Sequence, residues 1–277
     1  MSRFPQNTEK TLRAMYRKFQ KLDLIATDPV EYVHQFDNLE DQEISAVLAS
    51  QLAYGNAKAI RSSIKKLFDR LQVGDSVHFR SHFNKPKETE RLLKDFRHRF
   101  HSGSDIVKLL SLIARSYKEY GSVFNHFMCG FSRSDENIES ALIFFLNDWK
   151  SWSVSFQSRA FNHFLSSPQD KSACKRWCLF LKWMIRKDEI DLGTWTKMSQ
   201  SAQPMISPPM PSQLVMPVDT HVHNAAIRLK LTTRKIPDWK MAVEVTKNLK
   251  KFEKLDPLKF DFSITRAGML SSKTNET

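Results

Sequence analysis

Apolar residues recur every three or four positions along most of the chain, the spacing that places them on one face of an α-helix. The longest such pattern covers residues 41–71, and Tyr54-Gly55-Asn56 interrupts it, which predicts a break between two helices. No segment alternates at period two, so the pattern predicts an all-α fold. The other predicted helices cover residues 7–26, 28–36, 86–101, 105–119, 136–149, 154–165, 172–187 and 238–252, a segment after Asp219, and a last helix opened by Asp256-Pro257.

A proline-rich stretch divides the helical pattern. Residues 199–217 contain five prolines, which are incompatible with a regular helix and predict an irregular connection. The chain is long enough to build two modest lobes around a shared cleft. We therefore predict two helical lobes with a cleft between them. Residues 42–198 would form the central lobe, and residues 1–41 plus 199–277 the second.

The charge balance favours a polyanionic partner. The chain has 43 Lys and Arg against 30 Asp and Glu, a net charge of +13. Such an excess gains binding free energy by releasing counterions from nucleic acid. Only 7 glycines are present, and neither of the glycine-rich phosphate-binding motifs occurs, which argues against a nucleotide cofactor. Double-stranded DNA is the partner we expect.

Cysteine content and hydropathy bear on the compartment. The three cysteines, an odd number in a long chain, fit a reducing cytoplasm better than a disulfide framework. Cys174 and Cys178 lie one helical turn apart, which could suit a metal or redox site, but no Cys or His pair lies nearby and small core residues are the alternative. The longest apolar run, residues 141–146, is too short to span a bilayer. We expect a cytoplasmic protein.

A lysine-rich helix is the first candidate for chemistry. Residues 171–187 contain six basic residues and no acidic one. Lys175 and Lys182 lie seven residues apart and share a helix face beside an apolar stripe. A lysine on apolar surface, beside Arg176 and close to a helix N-terminus, is in an environment that favours the neutral, nucleophilic amine. The alternative is a solvated cationic face.

The segment Val-Asp-Thr-His-Val-His at residues 218–223 has two interpretations. Asp-x-His-x-His is the metal-binding pattern of amidohydrolases, in which two histidines on one strand bind zinc. That pattern opens a long barrel, whereas only 58 residues of the 277 follow Asp219 and their pattern is helical. On a helix, His221 and His223 would point about 200° apart and could not chelate one ion. The second interpretation is an aspartate that caps a helix.

Three segments in order resemble the endonuclease III superfamily of helix-hairpin-helix DNA glycosylases. Residues 48–52 (LASQL) resemble the helix end whose glutamine reaches the lesion, and residues 51–55 (QLAYG) are similar to the archaeal 8-oxoguanine glycosylase branch. Residues 175–182 resemble the lysine-led second helix of the hairpin, and residues 217–222 (PVDTHV) the catalytic aspartate segment. The resemblance covers residues 42–265. It also extends to a group of uncharacterised conserved proteins of about this length.

This resemblance implies an enzyme that excises an oxidised purine, with 8-oxoguanine as the nearest case, through a lysine Schiff base. Lys175 would be the nucleophile, with Lys171 as runner-up, and Asp219 would stabilise positive charge on the sugar. The substrate-binding residues would be Gln51, Phe260, Asp261 and Phe262, although core packing is the alternative for the two phenylalanines. The DNA-phosphate contacts would be Lys171, Arg176, Lys182 and His221.

The sequence departs from the resembled family at the hairpin and at its cysteines. The usual hairpin turn is Leu-Pro-Gly-x-Gly, whereas residues 167–171 here are SPQDK. The four-cysteine iron–sulfur motif is absent, so neither a metal nor another cofactor is implied, and we expect a monomer. Two other functions stay open: a non-catalytic DNA-binding protein on the same scaffold, and a metal-dependent hydrolase that uses the Asp-Thr-His-Val-His segment.

Overall fold

Thirteen α-helices and one two-stranded hairpin form the regular structure of residues 7–74, 76–156, 158–201 and 206–273, the residues that the computed structural model describes. The all-α prediction is confirmed. The helices are α1 (Thr8–Phe19), α2 (Leu39–Gln51), α3 (Ala57–Leu71), α4 (Pro86–Leu92), α5 (Gly103–Tyr120), α6 (Val123–Met128), α7 (Glu139–Trp152), α8 (Arg159–Asn162), α9 (Lys175–Ile185), α10 (Thr194–Ser201), α11 (Thr220–Arg228), α12 (Trp239–Leu249) and α13 (Asp261–Lys273). The hairpin pairs β1 (Arg97–His98) with β2 (His101–Ser102), antiparallel.

Side-chain caps fix where several helices begin. The side chains of Asn38, Asn56, Asp219 and Asp238 accept backbone N–H groups in the first turns of α2, α3, α11 and α12. These N–H groups have no partner within the helix, so each cap contributes about 1 kcal/mol. The predicted break at residues 54–56 is confirmed, because Asn56 starts α3 as a new helix.

Four of the predicted helices are wrong in extent. The helix expected over 7–26 ends at Phe19, and the one expected over 28–36 is only the 3-10 turn Pro29–Tyr32. The helix expected over 86–101 ends at Leu92, and the chain then turns through the β1–β2 hairpin, whose tip holds Arg99 at a left-handed φ of 54°. The helix expected over 154–165 is three short pieces, because the Ser158 side chain accepts the N–H of Phe161 and starts a new turn there. Short-range apolar spacing persists through these last two regions, which is why they read as helical.

The lysine helix and the proline-rich connection also differ in detail. Helix α9 begins at Lys175 and not at residue 172, because Cys174 adopts a left-handed φ of 49°. In the proline-rich connection, residues 199–201 complete α10, residues 202–205 lie outside the described part, and Pro211–Gln213 form a 3-10 turn. Seven other segments of the described chain also form 3-10 turns. They are Leu22–Thr27, Pro29–Tyr32, Phe79–His82, Val154–Phe156, His163–Leu165, Pro168–Asp170 and Pro257–Phe260.

Helix α2 lies at the centre of the packing. All its residues from Asp41 to Gln51 are buried, and it packs against α9 and α10. The buried carboxylate of Glu43 accepts hydrogen bonds from Tyr117 Oη, the N–H groups of Val123 and Phe124, and Trp195 Nε1, which ties α2 to three other helices. Burial raises the pKa of Glu43. The predicted central lobe thus has a helix buried on all sides.

The first helix, α1, and the last helix, α13, pack against each other. Helices α1 and α11 both pack against α13, and one continuous cluster of buried apolar residues reaches from α1 to α13. The proposed division into two lobes stays a prediction. Within the described part of the chain, no helix combines the length and the apolar character needed to cross a bilayer.

Candidate active site

A cavity of about 700 Å³ lies where the two predicted lobes meet. The loop between α2 and α3 and one face of α9 form one side of it. The opposite side comes from residues of the segment 18–29, the start of α11 and the first turns of α13. Cavities of this size lie within the range of small-ligand sites, about 300–1,000 Å³. Lys175, Asp219, Lys182, Asp261, Phe262 and His221, all named from the sequence, line it.

Lys175 is the first residue of α9, and its side chain reaches the cavity. Its Nζ donates a hydrogen bond of 2.9 Å to the carbonyl oxygen of Ala53 and lies 3.7 Å from Oδ2 of Asp219. The two side chains are 27% and 20% exposed. The predicted pair is therefore brought together, 44 residues apart in sequence, with both charged groups accessible to a ligand in the cavity.

The local backbone determines how the Asp219 carboxylate is used. Asp219 is extended, and its Oδ1 accepts the N–H of Val222 at 2.9 Å, so it caps α11. The buried residues Pro217 and Val218 hold the chain in place just before the cap. One carboxylate oxygen is thus held by the helix, while the other faces Lys175. Asp219 therefore caps α11, as the second interpretation of this segment expects, and its side chain also lines the cavity.

Lys182 has a different environment, although it lies two helical turns along the same face. It is 2% exposed, and its Nζ lies 2.6 Å from Oδ2 of Asp261 and 3.6 Å from Oδ1 of Asp191. Burial alone would lower the pKa of Lys182, but the carboxylates of Asp191 and Asp261 raise it. Lys182 is a permanent cation held by two carboxylates, so its ammonium is not placed to contact a DNA phosphate at the surface.

The Lys182–Asp261 pair belongs to a larger network of buried charged side chains. Arg186, the extended residue directly after α9, contacts Asp191, Asp188 and Asp256. Burial raises the pKa of Asp191 to about 6 and also raises that of Asp261. The predicted substrate-binding residue Asp261 therefore borders the cavity and is simultaneously the partner of Lys182. Sequence reading missed this network because its members are spread over residues 182–261.

The other predicted substrate-binding residues lie at different depths. Phe262 is buried but lines the cavity, with the Arg266 guanidinium 4.6 Å from its ring centre. Phe260 is fully buried and packs edge-on against Tyr16, so it belongs to the core. Gln51 is also fully buried, and no described residue bonds to its side-chain Oε1 or Nε2. It lies behind the cavity wall.

The remaining predicted phosphate contacts are also dispersed. Arg176 is 8% exposed and donates to the carbonyl oxygens of Gln51 and His163. It therefore links α9 to these two segments and is not placed to contact a phosphate. Burial lowers its pKa to about 10. Lys171 is exposed and follows a 3-10 turn at a left-handed φ of 58°. His221 is half-buried in the cavity wall.

His221 lies where α11 meets α13 at close range. A Cβ added at Gly268 would be 2.8 Å from Cβ of His221, closer than side chains can approach. Gly268 therefore permits the contact between these two helices. Because α11 contributes Asp219 and His221 to the cavity, and α13 contributes Phe262, Thr265 and Met269, this contact sets the distance between two of its walls.

The Asp-Thr-His-Val-His segment does not adopt the strand that the amidohydrolase interpretation needs. His221 and His223 are both on α11, two positions apart, so their side chains point in different directions. No three His, Cys, Asp or Glu side chains of the described residues come together as a possible metal site.

One part of the cavity wall was not identified from the sequence. Asp28 accepts the N–H of Val30, the capping role that Asp28-Pro29 predicts, but its Oδ2 also lies 2.6 Å from Arg266 on α13. With Lys175–Asp219 and Lys182–Asp261, this makes three acid–base pairs around the cavity. The exposed residues Lys18 and Lys21 add positive charge at its edge. No local signal links positions 28 and 266.

A family model described as "Protein of unknown function (DUF2400)" matches residues 28–270. The matched region includes every residue that we have placed in the cavity wall except those at positions 18–27. No curated protein and no solved structure matches the chain. Since the model covers well over half of the sequence, the chain belongs to the DUF2400 family.

Proposed function

We propose that the protein is a DNA glycosylase with AP lyase activity, which excises an oxidised purine from double-stranded DNA through a Schiff base on Lys175. The observation that carries the proposal is the Lys175–Asp219 pair, 3.7 Å apart at the wall of a cavity of about 700 Å³. A glycosylase needs such a cavity because the target base must leave the stack before its bond can be broken. The sequence resemblance supplies 8-oxoguanine as the first substrate to test.

The chemistry uses the two side chains in different ways. Lys175 Nζ attacks C1′ of the nucleotide, the N-glycosidic bond breaks, and the base leaves with the bonding electron pair and takes up a proton. After the attack Nζ loses one proton, the C1′–O4′ bond breaks and O4′ takes up a proton, which leaves a protonated Schiff base between Nζ and C1′. Loss of a C2′ proton then breaks the C3′–O3′ bond and expels the 3′ phosphate. Positive charge develops on the sugar during bond cleavage, and in this proposal the Asp219 carboxylate stabilises that charge, which its 3.7 Å distance from Lys175 supports.

Among the lysines named from the sequence, Lys175 is the best placed to be the nucleophile. Its Nζ contacts a neutral carbonyl oxygen and one carboxylate oxygen at 3.7 Å, and its side chain is 27% exposed. Lys182 is enclosed by two carboxylates that keep it charged. Lys171 is exposed and does not line the cavity. An amine acts as a nucleophile only when unprotonated, which disfavours the enclosed Lys182.

The net charge of +13 supports duplex DNA as the partner. Charge on this scale favours association with a phosphate backbone, and the exposed Lys18 and Lys21 extend positive charge to the cavity edge. We further propose that the protein acts as a monomer in the cytoplasm, on DNA of the nucleoid.

Borohydride trapping tests the proposal directly. The native protein is incubated with duplexes that each carry one oxidised or alkylated base, in the presence of sodium borohydride, and covalent complexes are separated on a denaturing gel. Reduction of a Schiff base gives a permanent protein–DNA bond, so we expect trapping on the 8-oxoguanine duplex. Lys175→Gln removes the nucleophile and should abolish trapping.

Lys171→Gln is the matched control, because it removes a lysine four residues away that is exposed and outside the cavity. It should still form the covalent complex at saturating protein, with at most the loss of duplex affinity expected for one phosphate contact. Trapping that persists in Lys175→Gln contradicts the assignment of the nucleophile. Salt-sensitive duplex binding with no trapping and no base release on the whole panel contradicts the enzyme and favours a DNA-binding protein on this scaffold.

A further inference from the structure

The β1–β2 hairpin carries the one exposed Phe, Tyr or Trp ring among the side chains that the structure describes. Phe100, at the tip, is 53% exposed, and Arg97 and Arg99 beside it are exposed as well. The helix predicted for this region would have spread these residues around its surface. The hairpin instead brings an exposed aromatic ring and two exposed guanidinium groups close together in sequence around its tip.

This tip lies directly beside the cavity. Gly55, which lines the cavity, has a φ of +102°, and a Cβ added there would be 3.0 Å from Nη1 of Arg99. The centre of the Phe100 ring lies 5.4 Å from that of the Tyr54 ring. Tyr54 is flanked in sequence by Ala53 and Gly55, which both line the cavity. The same Ala53 carbonyl accepts the hydrogen bond from Lys175. A ligand that places one group at Lys175 would therefore pass close to the hairpin tip.

Two buried histidines hold the hairpin in place. His98 is 2% exposed, with its Nδ1 2.9 Å from Oγ of Ser63. His101 is fully buried, its Nε2 donates to the carbonyl oxygen of Ala160 at 2.8 Å, and its Nδ1 lies 2.5 Å from the Tyr54 hydroxyl. Because both anchors flank the tip, Arg99 and Phe100 are presented by a fixed backbone and lose little conformational entropy on binding.

We infer that the Arg99–Phe100 tip contacts duplex DNA next to the nucleotide held in the cavity, with Phe100 stacking in the gap that nucleotide leaves. This inference rests on the proposed function. An apolar wedge stabilises an unstacked step, and a ring that stacks on neighbouring bases reads no sequence. Arg97 and Arg99 lie on either side of the buried His98, where they can contact phosphates on the flanking backbone.

The inference is tested by binding, independently of turnover. The probes are two duplexes of one sequence, one undamaged and one with a tetrahydrofuran abasic-site analogue, which already contains the gap. A 2-aminopurine next to the analogue reports stacking through its fluorescence. Phe100→Ala should lower the preference for the abasic duplex about tenfold and remove the fluorescence change, since one stacked base contributes on this scale. Phe100→Trp keeps a stacking ring and should preserve both signals.

Two controls separate stacking from charge and from general effects. Ile236 is 73% exposed and lies outside both the hairpin and the cavity wall, so Ile236→Ala should leave both affinities unchanged. Arg99→Ala should weaken binding to both duplexes alike and lower the slope of log affinity against log salt by about 1. Thermal unfolding checks that Phe100→Ala stays folded, as expected for a half-exposed side chain.

The outcomes distinguish this inference from the proposed function. Trapping by the native protein together with an unchanged abasic preference in Phe100→Ala overturns the hairpin inference and leaves the glycosylase in place. A preference that depends on Phe100, without trapping on any lesion, supports the hairpin and contradicts the glycosylase. A native protein that binds both duplexes equally overturns the hairpin inference.

Discussion

Lys175 and Lys182 are two lysines on the same face of α9, seven residues apart, yet they occupy opposite environments. Lys175 is 27% exposed and shares the cavity with a single carboxylate 3.7 Å away. Lys182 is 3% exposed and lies between Asp261 at 2.6 Å and Asp191 at 3.6 Å. The periodicity that places both on one face says nothing of this difference, because the carboxylates come from other parts of the chain.

The two environments determine what the ammonium group of each lysine can contact: for Lys182 its buried carboxylates, and for Lys175 also a ligand in the cavity. A buried cation whose partners are also buried cannot change its charge without leaving those partners uncompensated. The Lys175 amine, at the wall of the cavity, can instead be reached by solvent and by a ligand. Lys182 thus holds α9 against α13, whereas Lys175 is open to the cavity, as the proposed nucleophile must be.

The largest effect expected from this comparison is on folding stability. Lys182→Met leaves the buried carboxylate of Asp261 without its cation and leaves Asp191 paired with Arg186 alone, which should lower the free energy of unfolding by about 3–5 kcal/mol. Lys175→Met removes one hydrogen bond and a partly exposed pair, and should cost about 1 kcal/mol. Urea denaturation of both variants at pH 7 measures the two values.

The double variant Lys182→Met/Asp261→Leu sharpens this test. Replacing both members of a buried pair with apolar residues removes the uncompensated charge, so most of the lost stability should return. Equal losses in the two single variants, or no recovery in the double one, would contradict the contrast between the two lysines.

Asp219 is expected to show the next largest effect, and on rate. Asp219→Asn keeps a side-chain oxygen that can cap α11, since asparagine caps as well as aspartate, but removes the negative charge facing Lys175. We expect single-turnover trapping on the lesion duplex to slow about 100- to 1,000-fold, the usual scale for losing one electrostatic contact to a transition state. The urea midpoint should move little. A trapping rate close to that of the native protein would rule out the proposed role of this carboxylate.

The smallest effect concerns pH and the neutral imidazoles close to the start of α9. Burial lowers the pKa of His163 to about 3, with Arg176 and His101 contributing. Its pKa in the unfolded chain is near 6.5. As pH falls from 6.5 towards 3, the unfolded state therefore binds a proton that the folded state does not, and stability decreases.

His163→Phe keeps a ring against Tyr54 and Phe100 but cannot titrate. Since His163 is partly exposed, we expect the fall of unfolding free energy with decreasing pH to become shallower by at most about 1 kcal/mol per pH unit. Urea unfolding at pH 6.5, 5.5 and 4.5, within the window set by the cited pKa values, measures the slope. Parallel pH profiles for the native and variant proteins would show that His163 is not kept neutral by folding.

The sequence predicted the helices and the Lys175–Asp219 pair better than it predicted the surroundings of each side chain. Apolar spacing and the Asn and Asp caps are local, so the break at residues 54–56 and the start of α11 could be placed from neighbouring residues. The burial of Lys182 depends on Asp261, 79 residues away, and periodicity carries no information on such partners.

The hairpin at residues 97–102 was missed for a related reason. His98 and His101 read as polar helix positions, yet both are buried because Ser63, Tyr54 and Ala160 supply their hydrogen-bond partners. Tertiary contacts override local helix propensity at such positions. The element that the sequence reading placed least well is also the one that projects beside the cavity.

The close contact of Gly268 with His221 makes the cavity adjustable by a single substitution. Gly268 contributes no side chain to the contact of α13 with α11, and a methyl group there would meet the His221 side chain at 2.8 Å. Larger residues at position 268 would push the two helices apart and widen the space between Asp219 and Phe262. Substitutions of increasing size at position 268 would therefore measure how large a molecule the cavity admits.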